Sequence, residues 1–420
     1  MGMEKITYLN AREIIDSRGN PTIEVNIGVN GVNGTASVPS GASTGIHEAW
    51  ELRDGDSTRY GGKGVLNAVD NCNKEISEKI VGHDFDQRSL DKFLIELDGT
   101  VNKKRLGSNA ILGVSLAFAR ASAKNKNIEL FEYLGSLAEK NQFKIPEPMF
   151  NILNGGAHAD SGIDIQEFMI GAVGILDFNK KIQAISEIIF ELKKILKKDG
   201  YAVSLGDEGG FAPKLATNEI VFDYIEKAIN NAGYNTNLIK IGIDAAASNF
   251  YKNGNYEIKI NGENKVLDED KLIEWYVDLC NTNPIITIED GLAEDSFVGF
   301  AKLKNKLLNK VEIVGDDLLV TNVSRMKIAN ENNSVTSALI KPNQIGTLSE
   351  TIDAILFANE VGWKTFISHR SGDTTDTFIA DLAVGLSCDL AKFGSLARGE
   401  RVAKYNRLME INNIILNYGK

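Results

Sequence analysis

Seven short apolar runs stop on an ionisable residue: Leu205-Gly206-Asp207-Glu208, Gly242-Ile243-Asp244, Thr287-Ile288-Glu289, Val314-Gly315-Asp316, Leu339-Ile340-Lys341, Ile367-Ser368-His369 and Leu390-Ala391-Lys392. If these runs are strands lying side by side, Asp244, Glu289 and Asp316 bring three carboxylates together. Like charges a few ångströms apart cannot all stay ionised without a cation. The donors are oxygen only, with no cysteine or paired histidine at ligand spacing, so they suit Mg²⁺, with Mn²⁺ as a substitute, and not zinc. Lys341, Arg370 and Lys392 add a cationic side to the same ring and call for a small anionic substrate bearing carboxylate or phosphate. A lysine among cations loses preference for its ammonium form, so Lys341 or Lys392 is a candidate general base. A divalent ion beside such a base suits proton removal next to a carboxylate, because it stabilises the charge that develops. Each acid taken singly could instead cap the helix after its strand, but capping leaves the basic members of the ring without a reason.

The intervals between successive endings each hold one strand and one helix, and a closed βα barrel gathers such strand ends at one mouth. Ile182, Ile185, Ile189, Leu192 and Leu196 form an apolar stripe with Lys and Glu opposite, and similar stripes run through Ile220 to Ile229, Leu272 to Leu279 and Ile352 to Val361. A doubly wound open sheet would bring a glycine-rich nucleotide loop, and Gly61-Gly62-Lys63-Gly64 lacks the spacing and the Ser/Thr of one. Upstream, strand-like Ile23 to Val29 and Thr35 to Val38 flank a turn-rich Asn30 to Gly34, which predicts a hairpin. Helical spacing then runs through Val65 to Ile80, Leu90 to Leu97 and Asn109 to Lys124, the pattern of an α+β unit. The two prolines between Asn141 and Pro148 mark a boundary near residue 140, giving an N-terminal α+β capping domain over 1–140 and a catalytic βα barrel over 141–420.

The chain has 420 residues, more than one core usually serves, which agrees with two domains. With 57 acidic against 46 basic residues the net charge is −11, a surface that repels phosphate backbones, so no nucleic-acid partner is expected. Cys72, Cys280 and Cys388 are far apart and odd in number, so a reducing cytoplasm is expected. The N-terminus carries charges where a signal peptide needs an apolar stretch, and Ile6 stands where a myristoylation signal wants Ser or Thr. The longest apolar stretch, Ala110 to Ala119, falls well short of the ~20 residues that span a bilayer, so it predicts a buried helix and no membrane insertion.

The strings DSRGNPT, VPSGASTG, NILNGGAHA, IQEFMI, LGDEGGFAP, IEDGLAEDSF, IVGDDLLVTN, LIKPNQIGTLSE and SHRSGDT occur in that order, and the chain from Asp16 to about Arg407 resembles the enolase family. The resemblance implies a TIM-like barrel with an atypical start, joined to a smaller N-terminal α+β domain. It implies the Mg²⁺-dependent, reversible conversion of 2-phosphoglycerate to phosphoenolpyruvate and water in glycolysis and gluconeogenesis, with two Mg²⁺ per active site. Asp244, Glu289 and Asp316 match the ligands of the tighter ion, which holds the substrate carboxylate, and Ser43 matches a ligand of the second. Lys341 matches the base at carbon 2. Glu208 matches the acid at the carbon-3 hydroxyl, with Glu167 sharing the proton. Lys392 matches the residue that grips the carboxylate, Arg370 and Ser371 the phosphate clamp, and His369 a neighbour of the leaving group. Gln166 matches a further substrate contact, and His158 a loop that closes over it.

Four positions depart from the common pattern: Phe393 where Thr usually follows the lysine, Gly291 where many members have Pro, and Asp373 and Thr375 where Glu is frequent. They leave the shape of the pocket wall open. The family resemblance also implies at least a homodimer, with octamers known. Enolase scaffolds serve elsewhere as lens proteins or as cell-surface plasminogen receptors through a C-terminal lysine such as Lys420. Because the site chemistry is retained, such a non-catalytic role is the alternative reading, expected at most as a second function beside catalysis.

Overall fold

The computed structural model describes residues 2–41, 45–156, 161–307 and 310–418. Ser43, His158 and Lys420 lie outside them. The fold opens with β1 (Glu4–Ile15), β2 (Pro21–Val29) and β3 (Val32–Ser37), and β4 (Asp84–Phe85) pairs with the start of β1. Asn30 and Gly31 have φ of 50° and 84°, the left-handed backbone that a two-residue hairpin turn needs. The predicted hairpin is therefore β2–β3. The long β1, which pairs with β2 over most of its length, extends it. The predicted apolar helix spans Ser108–Asn125 and is buried on nearly every side. It lies so close to β3 that a Cβ on Gly34 would stand 2.2 Å from the Ala117 carbonyl oxygen, so only glycine fits there.

Eight strands close a barrel. In chain order they begin with β5 (Glu147–Asn154), β6 (Glu167–Gly171) and β7 (Lys240–Asp244). A small separate sheet follows, of β8 (Tyr251–Lys252), β9 (Asn255–Ile260) and β10 (Glu263–Leu267). The barrel then resumes with β11 (Ile285–Glu289), β12 (Glu312–Gly315), β13 (Ser337–Ile340), β14 (Lys364–Ser368) and β15 (Leu390–Lys392). The order round the barrel is β11-β12-β13-β14-β15-β5-β6-β7. β6 runs antiparallel to both neighbours, whereas the other pairs are parallel. The atypical start is this β5–β6 hairpin. The run Leu205 to Glu208 is not a barrel strand, contrary to expectation. Leu205 makes only an isolated bridge to Phe211, and Gly206 N–H donates to the Gly210 carbonyl, folding the segment into a glycine-rich turn. Phe211 then docks that turn on β5 through Leu153.

Strand alternation explains how charge collects inside this barrel. Met149, Met169, Val314, Leu339, Phe366 and Leu390 form a dry plug separate from the main core. Inward-facing residues recur every second position. Two residues beyond Val314, Leu339 and Leu390 come Asp316, Lys341 and Lys392. The helices after β7 and β12 take their caps from Asp268 and Asn322, which removes helix capping as the reason for Asp244 and Asp316.

The N-terminal domain is locked to the barrel by a bidentate pair, Arg120 Nη1 and Nη2 at 2.6 and 2.7 Å from the two oxygens of Asp376, which also accepts Ser37 N–H at 2.9 Å. Burial raises the Asp376 carboxyl, but Arg120 outweighs it and holds the carboxyl below its ordinary range. Arg120→Met strands this buried charge and is expected to cost about 3–5 kcal/mol. A carboxyl depressed in the folded state contributes stability above its unfolded value near 3.8, and that contribution is lost as pH falls through the folded value. The melting difference between wild type and variant should therefore be full at pH 7 and shrink below about pH 4; a difference that grows on acidification contradicts the assignment.

Candidate active site

Lys392 ends β15 with its ammonium 2.7 Å from Glu289 Oε1 and 3.4 Å from Asp244 Oδ2 and from both oxygens of Glu167. Burial disfavours that charge, yet Glu167, Glu289 and Asp244 hold its pKa well above the ordinary lysine value. Glu289 is wholly buried, and its carboxyl is pushed well up by burial and then by Asp244. Its second oxygen, Oε2, has no hydrogen-bond partner.

Asp316, one residue past β12, is paired with the Lys341 ammonium and accepts Gln344 Nε2 at 2.8 Å. Thr321 braces the pair: its hydroxyl accepts the Lys341 N–H and donates to Gln344 Oε1, both at 2.9 Å. Burial works to raise the Asp316 carboxyl, but Lys341 and Lys392 bring it below its usual value. Lys341 is raised and not lowered, as the ring of cations had suggested: burial, Arg370 and Lys392 all favour the neutral amine, but Asp316 overrides them.

On the opposite side, Glu208 Oε2 accepts Asn151 Nδ2 at 2.9 Å and lies 3.7 Å from His369 Nε2. Burial pushes His369 well below the ordinary histidine pKa despite the nearby Glu208 charge. Arg370 grips Glu48 of the N-terminal domain with Nη1 and Nη2 at 2.9 and 3.1 Å. Gln166 reaches Asp244 at 3.4 Å, and Ser371 lines the same cavity.

The predicted residues within the described part of the chain, Gln166, Glu167, Glu208, Asp244, Glu289, Asp316, Lys341, His369, Arg370, Ser371 and Lys392, are thus brought to one mouth. Asp290, Asp317 and Glu48 join them without having been singled out. Asp290 has a φ of 41°, which turns a residue that would point outward so that it accepts the N–H groups of Asp316 and Asp317 at 2.9 and 2.7 Å. Burial and Asp316 raise the Asp317 carboxyl to about 7. Consecutive acids at a strand end, Glu289-Asp290 and Asp316-Asp317, were the available signal. The departures Phe393 and Gly291 are not on the cavity wall. The Phe393 ring packs 5.6 Å from that of Tyr405 in the outer helix layer, and Gly291 faces Ile288, Leu303 and Tyr276.

Among the described residues, six carboxyls line the cavity, Glu167, Glu208, Asp244, Asp290, Asp316 and Asp317, against three cationic side chains, Lys341, Arg370 and Lys392. This excess, with the orphaned Glu289 oxygen, fits a metal cation bound through oxygen. Among the described residues, two groupings have ligand atoms close enough to share an ion: Asp290, Asp316 and Asp317, and Glu167, Glu208 and His369.

A closed barrel with acids and lysines at one mouth, reached by a residue of a smaller α+β domain, defines a capped TIM-barrel protein whose mouth holds acidic groups that could bind a metal. Family models for the enolase N-terminal domain and the enolase C-terminal TIM barrel domain match residues 6–134 and 142–419. The chain belongs to the enolase family.

Proposed function

We propose that the protein catalyses the reversible, Mg²⁺-dependent dehydration of 2-phosphoglycerate to phosphoenolpyruvate, the enolase step of glycolysis and gluconeogenesis. The observation that carries this reading is the placement of a lysine and a carboxyl pair on opposite walls of one acid-rich mouth, in a chain of this family. Lys341 follows β13 and Glu208 is docked on β5, with β14 and β15 between them. Lys341 takes the carbon-2 proton, and Glu208, with Glu167, gives a proton to the carbon-3 hydroxyl. Lys392 binds the carboxylate, Arg370 and Ser371 bind the phosphate, His369 neighbours the leaving hydroxyl, and Gln166 makes a further substrate contact. Asp244, Glu289 and Asp316, with Ser43 at a second position, would hold two Mg²⁺ ions, which stabilise negative charge developing on the substrate carboxylate. Lys341 must be neutral to act as the base. Asp316 first, and Glu289 after it, keep it protonated, so compensating both acidic charges leaves burial, Arg370 and Lys392, all favouring the neutral amine. His158, outside the described residues, belongs to the same proposal as a loop group closing over substrate.

A domain boundary near residue 140 and self-association as a dimer or octamer accompany this reading. A cytoplasmic location accords with three free cysteines, and among the described residues no helix is long and apolar enough to cross a membrane. The test is turnover: purified protein with Mg²⁺ should convert 2-phosphoglycerate to phosphoenolpyruvate, followed by the absorbance of the product. Absence of turnover in a folded, Mg²⁺-supplied sample sinks the reading.

A further inference from the structure

Arg401, in the first turn of the helix Gly399–Asn417, is among the largest fully buried side chains of the described residues, and the mechanism gives it no task. Its Nη1 donates to His369 Nδ1 and to the Arg370 carbonyl, each at 2.6 Å. Its Nη2 donates to the carbonyls of Ser371 and Asp207 at 2.7 and 3.0 Å. Its charge is met by Asp373 and Glu400, each at 3.4 Å, and Asp373 is shared with Lys404 at 3.1 Å. A buried guanidinium is costly, and an apolar side chain of similar size would fill the space at least as well. What arginine alone supplies is a rigid fork of donors, aimed here at two loops: residues 369–371, and the turn that carries Glu208.

The fork also fixes a proton. Guanidinium has no acceptor atom, so the nitrogen it meets on His369 must be the unprotonated one. Nδ1 therefore accepts, Nε2 carries the hydrogen, and Nε2 is the atom 3.7 Å from Glu208 Oε2. The same bond argues against a metal at the Glu167, Glu208 and His369 grouping, since the ring nitrogen facing the carboxyls carries a hydrogen.

We propose that Arg401 is a positioning residue that holds His369 in its Nε2–H tautomer and aligns it with Glu208, so that imidazole N–H and carboxyl meet the same departing oxygen of the substrate. This rests on the dehydration reading above. Of the two proton transfers it assigns Arg401 to the second, because none of its bonds reaches Lys341, Asp316 or Lys392; its bonds to the Arg370 and Ser371 carbonyls brace the phosphate clamp as well.

The test has two arms. In ¹⁵N-labelled full-length protein at pH 7, long-range ¹⁵N–¹H correlation spectra should show His369 as the Nε2–H tautomer, its signals assigned by their loss in His369→Gln. An Nδ1–H or doubly protonated ring overturns the proposal whether or not the protein turns over 2-phosphoglycerate. Arg401→Lys, which keeps the charge but not the fork, should lower kcat for dehydration about 100-fold, the size expected when one aimed donor is lost. Exchange of the carbon-2 hydrogen with solvent should persist, and the His369 tautomers should mix. Equal loss of exchange and dehydration, or unchanged kcat and tautomer, overturns the assignment. If Arg401→Lys does not fold, the wild-type spectrum decides. A wild type with the expected tautomer but no turnover refutes the dehydration reading and, with it, a role for Arg401 in that reaction.

Discussion

Lys341→Ala is expected to abolish exchange of the carbon-2 hydrogen of 2-phosphoglycerate with deuterated solvent, while Glu208→Gln keeps that exchange and loses phosphoenolpyruvate formation. The two groups sit on opposite walls and have different neighbours: Lys341 is tied to Asp316, and Glu208 to Asn151 and His369. Removing one need not disturb the other. Glutamine keeps the shape of Glu208 and its acceptor oxygen for Asn151 but has no proton of the required acidity. A positioned proton-transfer group contributes about 10²–10⁴-fold, so both losses lie well outside assay error. Proton NMR in D₂O follows exchange, and absorbance follows product, in the same samples. Exchange surviving in Lys341→Ala would move the base elsewhere in the ring, with Lys392 the next candidate. Dehydration at near wild-type rate in Glu208→Gln would falsify its role and transfer the acid to Glu167.

The second large effect concerns the metal. Chelation should bring turnover to background, with Mg²⁺ restoring it and Mn²⁺ able to substitute. Independently of activity, Mg²⁺ should raise the melting temperature, because an ion bound only by the folded state stabilises it by about 2.7 kcal/mol at 100 times Kd. The cause is local: Glu289 keeps a buried oxygen without a partner, and the Lys392 ammonium is shared among three acids. Glu289→Gln and Asp316→Ala should each reduce the Mg²⁺-dependent shift. Full activity after chelation, or an undiminished shift in both variants, would remove Mg²⁺ from the proposal.

Much of the mouth was legible, and its parallel strands leave a period-two signature, an apolar residue inside the barrel followed two positions later by a charge. Asp316, Lys341 and Lys392 were found more simply, as the ionisable ends of apolar runs, and the alternation is why those ends face inward. Glu167 escapes the same rule because β6 runs backwards, so its acid precedes the apolar run and nothing local marks it; only the resemblance to enolases named it. Glu208 was placed at the mouth for a reason that does not hold, since a glycine turn and not a strand carries it there. Glu48 comes from another domain, and Asp290 depends on a left-handed backbone, neither of which spacing encodes. The strand β1 was obscure because a register shift between Ile6 and Tyr8 breaks its alternation. The pocket wall left open by Phe393 and Gly291 resolved simply, as both face the outer layer.

The order of strands has a consequence for how the chain reaches its native state. β5 and β6 are sequence neighbours and can pair early, since a hairpin closes a short loop. The barrel, however, shuts only when β15 meets β5, with Leu390 opposite Glu147, more than half the chain away. Until the last strand has left the ribosome, β5 and β14 remain open edges with unpaired backbone groups, and such edges invite pairing with other chains. The same late strand carries Lys392, the ammonium among three buried acids. The step that removes the last sticky edge is therefore also the step that brings a cation to the acids of the mouth, and an incompletely synthesised chain would suffer both an open sheet and less compensated buried charge.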